Sequence, residues 1–298
     1  MNQPTCAQAL AIAQTLGLDR LDAQLLLLHA LGKPGHARAW LLAHDTDELS
    51  EEVALQFRAL SLRRASGEPL AYIVGSKEFF GLELQVDARV LVPRPDTETL
   101  VQWALEVLQA PAMPSDPQVL DLGTGSGAVA LALKHARPGW QVSAVDFSTD
   151  ALAVAQANAQ ALKLDVPFRH GSWLDNVSGR YHAIVSNPPY IAARDPHLAA
   201  LSHEPLQALA SGQDGLDDIR QIIGQAPARL QPGGWLLLEH GYDQAAPVRE
   251  LLRGAGFENV QSRRDLSGIE RCSGGQWQGN AGRQASPGKR RDNPSVEF

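Results

Sequence analysis

Between residues 118 and 239, short apolar runs of strand length alternate with longer stretches of helical spacing, and this alternation limits the chain more than any other feature. The strand-like runs fall at 118–122, 141–146, 166–170, 181–186 and 234–239. Strands separated by helix-length segments pair in parallel, because a tight hairpin joins only antiparallel neighbours. The region is therefore predicted to be an α/β domain, a doubly wound sheet with helices on both faces. Ligands of such sheets bind beyond the carboxyl ends of the strands, so chemistry is to be sought there.

The chain ahead of this region has a different period. From Thr5 to about Ser66, apolar residues recur at three- and four-residue spacings, the pattern of a small helical bundle. Ser50 is placed to cap a helix that carries Glu51 and Glu52 at its start and Arg63 and Arg64 at its end, with Gly67 and Pro69 stopping it. Residues 70–92 switch to β character, with Leu82, Leu84 and Val86 alternating and Gly75 and Gly81 available for turns. In "PRPDTETLVQWALEVLQ", Asp96 or Thr97 is expected to cap a helix whose apolar face is Leu100, Val101, Ala104, Leu105 and Leu108. The expected organisation is a helical recognition domain over 1–68, a β-hairpin linker over 69–92, a catalytic domain over 93–278, and a disordered tail over 279–298.

Composition narrows the partners. The 298 residues are 44% hydrophobic, enough for substantial cores, and the formal net charge is −7. That acidic balance argues against stable nucleic-acid binding through extensive phosphate neutralisation. Cys6 and Cys272 are the two cysteines, too far apart in sequence to suggest a disulfide framework or a zinc site, so no metal is expected and a reducing compartment fits. The N-terminus lacks a basic leader, and Leu25 to Leu28 is too short a run to span a bilayer. A soluble, cytoplasmic monomer is expected.

Two strand ends carry motifs. "VLDLGTGSGAVALAL", residues 119–133, is a strand followed by a loop of Gly123, Thr124, Gly125, Ser126 and Gly127, then a helix. Glycines there permit tight turning and close approach of a ligand to backbone. Asp146 ends the second strand, where a carboxylate can accept hydrogen bonds from both hydroxyls of a ribose. Together they imply an adenosine-containing ligand. Gly123, Gly125 and Ala128 also satisfy the G-x-G-x-x-A dinucleotide pattern, so a nicotinamide-dependent enzyme fits the same loop.

The fourth strand separates these readings. It ends in "VSNPPYI", where Asn187, Pro188, Pro189 and Tyr190 follow the buried run. An amide or aromatic amine nitrogen has a delocalised lone pair and attacks a methyl group poorly. The Asn187 side-chain oxygen and the Pro188 carbonyl can each accept one of its N–H groups, and Tyr190 can stack on its plane. Proline's fixed φ holds such acceptors in place. Hydride transfer has no use for this arrangement.

On these residues the chain resembles the S-adenosylmethionine-dependent methyltransferases, and within them the release-factor glutamine N5-methyltransferases, the PrmC/HemK family. The resemblance spans residues 1 to about 277. It rests on "PLAYIVGSKEFFGLELQVDARVLVPRPDTE", "VLDLGTGSG", "VSNPPYI", Glu204-Pro205 with "GQDGLD", and "LLLEHG". It implies a helical domain joined by a hairpin to a seven-stranded domain. It also implies that Gly123 to Gly127 line the methionine part of S-adenosyl-L-methionine, Asp146 its ribose and Trp173 its adenine side. Asn187, Pro188, Pro189 and Tyr190 would hold the substrate, the glutamine of the Gly-Gly-Gln motif of class-I peptide-chain release factors.

Alternatives remain at this stage: the sister activity on a ribosomal protein, adenine-N6 methylation of DNA after base flipping, and a non-catalytic binding module. Arg94 is read as a loop anchor or a surface arginine, and Glu239 and His240 as support for a strand end rather than catalysts. Trp173 serves equally as a packing residue. "SGGQWQG" contains a Gly-Gly-Gln of its own ending in Gln276, read as a glycine-rich turn with automethylation as the alternative.

Overall fold

The computed structural model describes residues 3–279. The expectation of a disordered tail therefore falls, apart from Gly279, outside the described residues. Four helices open the chain: α1 (Cys6–Thr15), α2 (Arg20–Ala30), α3 (Arg38–Ala43) and α4 (Glu51–Ala65). Their starts follow capping chemistry. Thr5 and Gln8 form a reciprocal box on α1, Asp19 accepts from the Asp22 amide on α2, and Ser50 accepts from the Val53 amide on α4. Leu26, Leu27, Leu28, Phe57 and Leu60 fill a core between them.

The next segment departs from its expected β character. Residues 70–74 form a short helix, α5 (Leu70–Val74), ended by Gly75 at φ 79°. Its residues serve two neighbours at helical spacing. Ile73 packs into the helical core, while Ala71 and Tyr72 pack with Val86, Val90, Val92, Ala151 and Val154. The hairpin itself is shorter, β1 (Ser76–Phe79) and β2 (Leu82–Gln85). Phe80 and Gly81 at its tip both have positive φ, as a two-residue primed turn requires. Leu82, Leu84 and Val86 are buried and the residues between them exposed, as the alternation predicts.

A 3₁₀ turn (Pro95–Thr97) leads into α6 (Glu98–Leu108), and neither Asp96 nor Thr97 caps that helix with its side chain. Thereafter come β3 (Gln118–Leu122), α7 (Ala128–Ala136), β4 (Gln141–Asp146), α8 (Thr149–Leu162), β5 (Phe168–His170), β6 (Tyr181–Ser186), α9 (Asp217–Gln225), β7 (Leu230–Glu239), α10 (Ala245–Gly254), β8 (Glu258–Arg264) and β9 (Glu270–Trp277). The seven-stranded sheet has the order β5-β4-β3-β6-β7-β9-β8, with β9 antiparallel to both neighbours and the rest parallel.

Period-two alternation splits the strands between two cores. Val119, Ala183, Val185, Trp235 and Leu237 face α6 and α7, while Leu120, Leu122, Ile184, Leu236 and Leu238 face α9 and α10. Strands β8 and β9 escape the apolar pattern for identifiable reasons. β8 is a polar edge strand, and β9 carries Gly274 and Gly275 where a Cβ would collide. At Gly274 it would lie 2.6 Å from the Leu236 carbonyl and 2.9 Å from Trp103. The internal Gly-Gly-Gln is thus strand rather than turn. Gln276 pairs with Trp235 near the start of the ordered β7 run, the opposite end of the sheet from Glu239.

Candidate functional site

The direction of winding reverses at β3, which pairs with β4 on one side and with β6 on the other. A crevice opens at such a switch point beyond the carboxyl ends of the strands. Leu122 and Ser186 are register partners, tied further by the Ser186 hydroxyl donating to the Leu122 carbonyl at 2.8 Å. The glycine loop and the Asn-Pro-Pro-Tyr segment therefore start side by side. Ser186 is in turn paired with Leu238, which brings Glu239 to the level of Asn187.

A cavity of about 330 Å³ occupies this crevice. Its lining includes Gly123, Thr124, Gly125, Ser126, Asp146, Trp173, Asn187 and Pro189 from the residues singled out in the sequence. Gly127, Pro188 and Tyr190 are not among the lining residues. Gly127 serves the loop from below: at φ 86° it precedes α7, and a Cβ there would stand 2.9 Å from Leu131 and 3.3 Å from Ala155. Gly125, also at positive φ, has open space where its Cβ would be.

The loop is held by backbone and carboxylate contacts. The Gly123 and Thr124 amides both donate to the Val145 carbonyl, and the Gly125 amide donates to Asp146 Oδ2 at 2.8 Å. Asp146 Oδ1 accepts from the Ser148 amide at 2.8 Å. Each carboxylate oxygen has a further lone pair, so the group retains capacity for hydroxyl donors. Burial raises its pKa, opposed by those amides. Asp121, beneath the loop, accepts from the Thr124 hydroxyl at 2.7 Å and the Ala130 amide at 3.2 Å, and burial pushes it up to about 7.

Trp173 lies across the loop, its ring 3.2 Å from where a Gly123 Cβ would be, and its Nε1 donates to Asp218 Oδ1 at 3.1 Å. Phe147 lines the same cavity with an exposed ring and was missed by the sequence reading, although it directly follows Asp146. Arg89, Arg94, Thr97, Gln207, Asp218 and Gln221 also line it. Asp146 and Asp218 stand against this cavity together with Arg89 and Arg94, so its lining carries charge of both signs.

Behind Asn187 the contacts are buried. Its Nδ2 donates to the Thr97 hydroxyl at 3.2 Å, whereas its Oδ1 is buried with no hydrogen-bond partner among the described residues. A buried acceptor of this kind costs about 1–3 kcal/mol if nothing ever reaches it. Glu239 is fully buried, its Oε2 has no hydrogen-bond partner among the described residues, and desolvation pushes its carboxyl up to about 7, opposed by the nearby Thr97 and Tyr190 hydroxyls and by Arg271. His240 has Nδ1 2.9 Å from the Gly241 carbonyl and Nε2 2.8 Å from Ser273 Oγ, which is strand-end support. Gln244 Nε2 donates to the Tyr190 carbonyl at 3.0 Å, and a Cβ at Gly215 would lie 2.1 Å from that carbonyl. The "GQDGLD" glycine thus makes room for the turn after the prolines.

A family model described as "Methyltransferase small domain" matches residues 101–262, and one described as "PrmC N-terminal domain" matches residues 6–75. A release factor glutamine methyltransferase of Bordetella pertussis is 51% identical, covering 87% of this chain and 95% of the relative. Those of Pseudomonas aeruginosa and Coxiella burnetii are 50% and 48% identical, covering 87% and 85% of this chain and 92% and 90% of their own lengths. Among solved structures, the hMettl16 catalytic domain in complex with an RNA hairpin of the MAT2A 3′UTR shares the fold, with a TM-score of 0.53 at 17% identity. That match covers 79% of this chain and 84% of the other. With relatives this similar over nearly their whole length, the chain belongs to the release factor glutamine methyltransferase family.

Proposed function

We propose that this chain methylates the side-chain amide nitrogen of the glutamine in the Gly-Gly-Gln motif of class-I peptide-chain release factors, using S-adenosylmethionine. The observation that carries the reading is the partnerless, buried Oδ1 of Asn187 at the mouth of β6. A buried acceptor with no partner among the described residues, beside a ligand cavity, suits a substrate N–H.

The residues present fit the cofactor. Gly125 leaves its Cβ position open to the cavity, and Asp146 keeps acceptor capacity for ribose hydroxyls. The loop Gly123–Gly127 would hold the methionine portion, with Trp173 and Phe147 available as aromatic faces. When bound, the group supplies an electrophilic methyl on a positively charged sulfur.

The protein's own task is orientation. Asn187 Oδ1 accepts one N–H of the glutamine amide and the Pro188 carbonyl accepts the other, which aims the nitrogen lone pair and favours its pyramidal form. Pro188 and Pro189 restrict the backbone that carries both acceptors. Bound S-adenosylmethionine would supply the methyl and its sulfur would keep the carbon–sulfur electron pair, while Asn187 and Pro188 hold the amide nitrogen that would take the methyl and lose one proton to solvent.

The test is labelled-methyl transfer to a purified class-I release factor, to the same factor with its motif glutamine replaced by alanine, and in parallel to a ribosomal protein substrate and duplex DNA. Label is expected in the first alone. Equal labelling of the alanine version, or labelling of DNA instead, overturns the substrate assignment.

A further inference from the structure

The indole of Trp173 is held at two opposite edges. Its six-membered ring presses on the glycine loop, with Cζ3 3.2 Å and Cη2 3.5 Å from where a Gly123 Cβ would stand, and its Nε1 donates to Asp218 Oδ1 at 3.1 Å. Trp173 and Asp218 both line the cavity, yet the methyl transfer described above gives Asp218 no part. We propose that Asp218, the second residue of α9, is a positioning residue that holds the Trp173 indole across the glycine loop, so that its face is set for the adenine side of the cofactor before the cofactor binds.

The ring needs a tether because neither its backbone nor its packing supplies one. Trp173 sits at φ 48°, a left-handed conformation that a bulky residue adopts only where its surroundings impose it. The side chain is half-buried and borders the cavity, so neighbours enclose it incompletely. An indole has a single donor and no acceptor, and a hydrogen bond to a carboxylate is the stronger kind. A side chain free to change rotamer must surrender that freedom when a ligand stacks on it, whereas one already fixed does not. Asp218 thereby contributes to affinity through the ring.

The anchor is rigid. The Asp218 amide donates to the hydroxyl of buried Ser211 at 2.9 Å, and the Ser211 amide donates to the Ile191 carbonyl at 2.9 Å, one residue beyond the Asn-Pro-Pro-Tyr segment. Ile219, Ile222 and Ile223 seat α9 in the core on that face of the sheet. Gln225, about two turns further along α9, repeats the hold. Its Oε1 accepts from the Leu174 amide at 3.1 Å and its Nε2 donates to Asp175 Oδ1 at 3.0 Å. The segment that carries Trp173 is thus fastened to α9 at two places, of which Asp218 orients the ring. Its neighbour Asp217 pairs instead with Arg220, so the two aspartates that open the helix have separate uses.

The inference rests on Trp173 being an aromatic face for the cofactor, and its test separates the two. The full-length protein is titrated calorimetrically with S-adenosylhomocysteine, the cofactor without its methyl group. The dissociation constant is expected to rise roughly 5- to 50-fold in Asp218→Ala and to stay near wild type in Asp218→Asn, whose carboxamide oxygen still accepts the indole N–H. Trp173→Phe keeps an aromatic ring and removes the N–H, and in that background Asp218→Ala should cost nothing further. Should the alanine variant fail to fold, Asp218→Leu, which fills the space without an acceptor, makes the same comparison against Asp218→Asn. Wild-type affinity in Asp218→Ala beside a weakened Trp173→Ala overturns the positioning role alone. So does an equal loss from Asp218→Ala with and without Trp173→Phe, or an asparagine variant as weak as the alanine one. Wild-type affinity in Trp173→Ala overturns the reading of Trp173 as a cofactor face and the positioning role with it.

Discussion

Arg94 and Glu204, 110 positions apart, form an ion pair that joins the segment before α6 to the loop after the two prolines. The glutamate is the buried member, and its second oxygen accepts from the Val92 amide at 3.0 Å. Pro93 and Arg94 on one side, and Pro205 and Gln207 on the other, are walls of the same cavity. Arg94 is thus the loop anchor of the two readings its sequence context allowed.

Glu204→Ala is accordingly expected to do more than Arg94→Ala. The first strands a buried amide and an arginine, at about 2–4 kcal/mol. The second removes a partner that is itself 38% exposed and is expected to cost under about 1 kcal/mol. Urea unfolding of both variants checks the order, and calorimetric titration with S-adenosylmethionine should show weaker binding chiefly in Glu204→Ala.

The loop glycines divide into two kinds. Gly127→Ala must place a methyl against Leu131 and Ala155 at positive φ, and is expected to lower stability by about 1–3 kcal/mol. Gly125→Ala meets no atoms, so its stability cost should stay near the roughly 1 kcal/mol of left-handed backbone, while cofactor affinity falls about tenfold or more. Melting temperature and titration measured on the same two proteins decide this.

In β9, Gly274→Ala is expected to destabilise by about 1–3 kcal/mol, because the new methyl meets the Leu236 carbonyl, Leu237 and Trp103. Gln276 donates to the Gly233 carbonyl at 2.8 Å and accepts from Asn259 at 2.9 Å, at the end of the sheet away from the cavity. Mass spectrometry after incubation with S-adenosylmethionine should find no methyl on Gln276, and Gln276→Ala should leave release-factor methylation intact.

Stability should depend on pH through Glu239, whose carboxyl is raised from 4.5 to about 7 by burial. Below pH 4.5 both folded and unfolded chains hold the proton. Between 4.5 and about 7 the unfolded chain releases it while the folded one keeps it, so stability falls as pH rises through this window and levels off above it. Glu239→Gln removes that dependence. The difference between variant and wild type is expected to shift in the variant's favour by on the order of 3 kcal/mol from pH 4.5 to 7.5, read from urea unfolding at each pH.

Much of this architecture is local and was readable from the chain. Hydrophobic period separates the helical segment from the α/β region, Ser50 caps where a serine ahead of two glutamates should, and Leu82, Leu84 and Val86 bury in alternation. The glycine loop, Asp146 and Asn187 lie at strand ends because loops between parallel strands and helices must. What one-dimensional pattern could not register was anything whose cause is a distant neighbour. Residues 70–74 coil because two separate cores claim opposite faces of them, and β9 tolerates Gly274 and Gly275 because β7 and Trp103 leave no room for side chains. Thr97 looks like a helix cap in sequence, yet its hydroxyl belongs to Asn187, 90 positions away. The chain by itself determined which residues stand at the strand ends, since that follows from period and turn chemistry. Tertiary structure alone decided which of them are buried, paired or left without a partner, because desolvation and hydrogen-bond satisfaction are set by whatever packs across the gap.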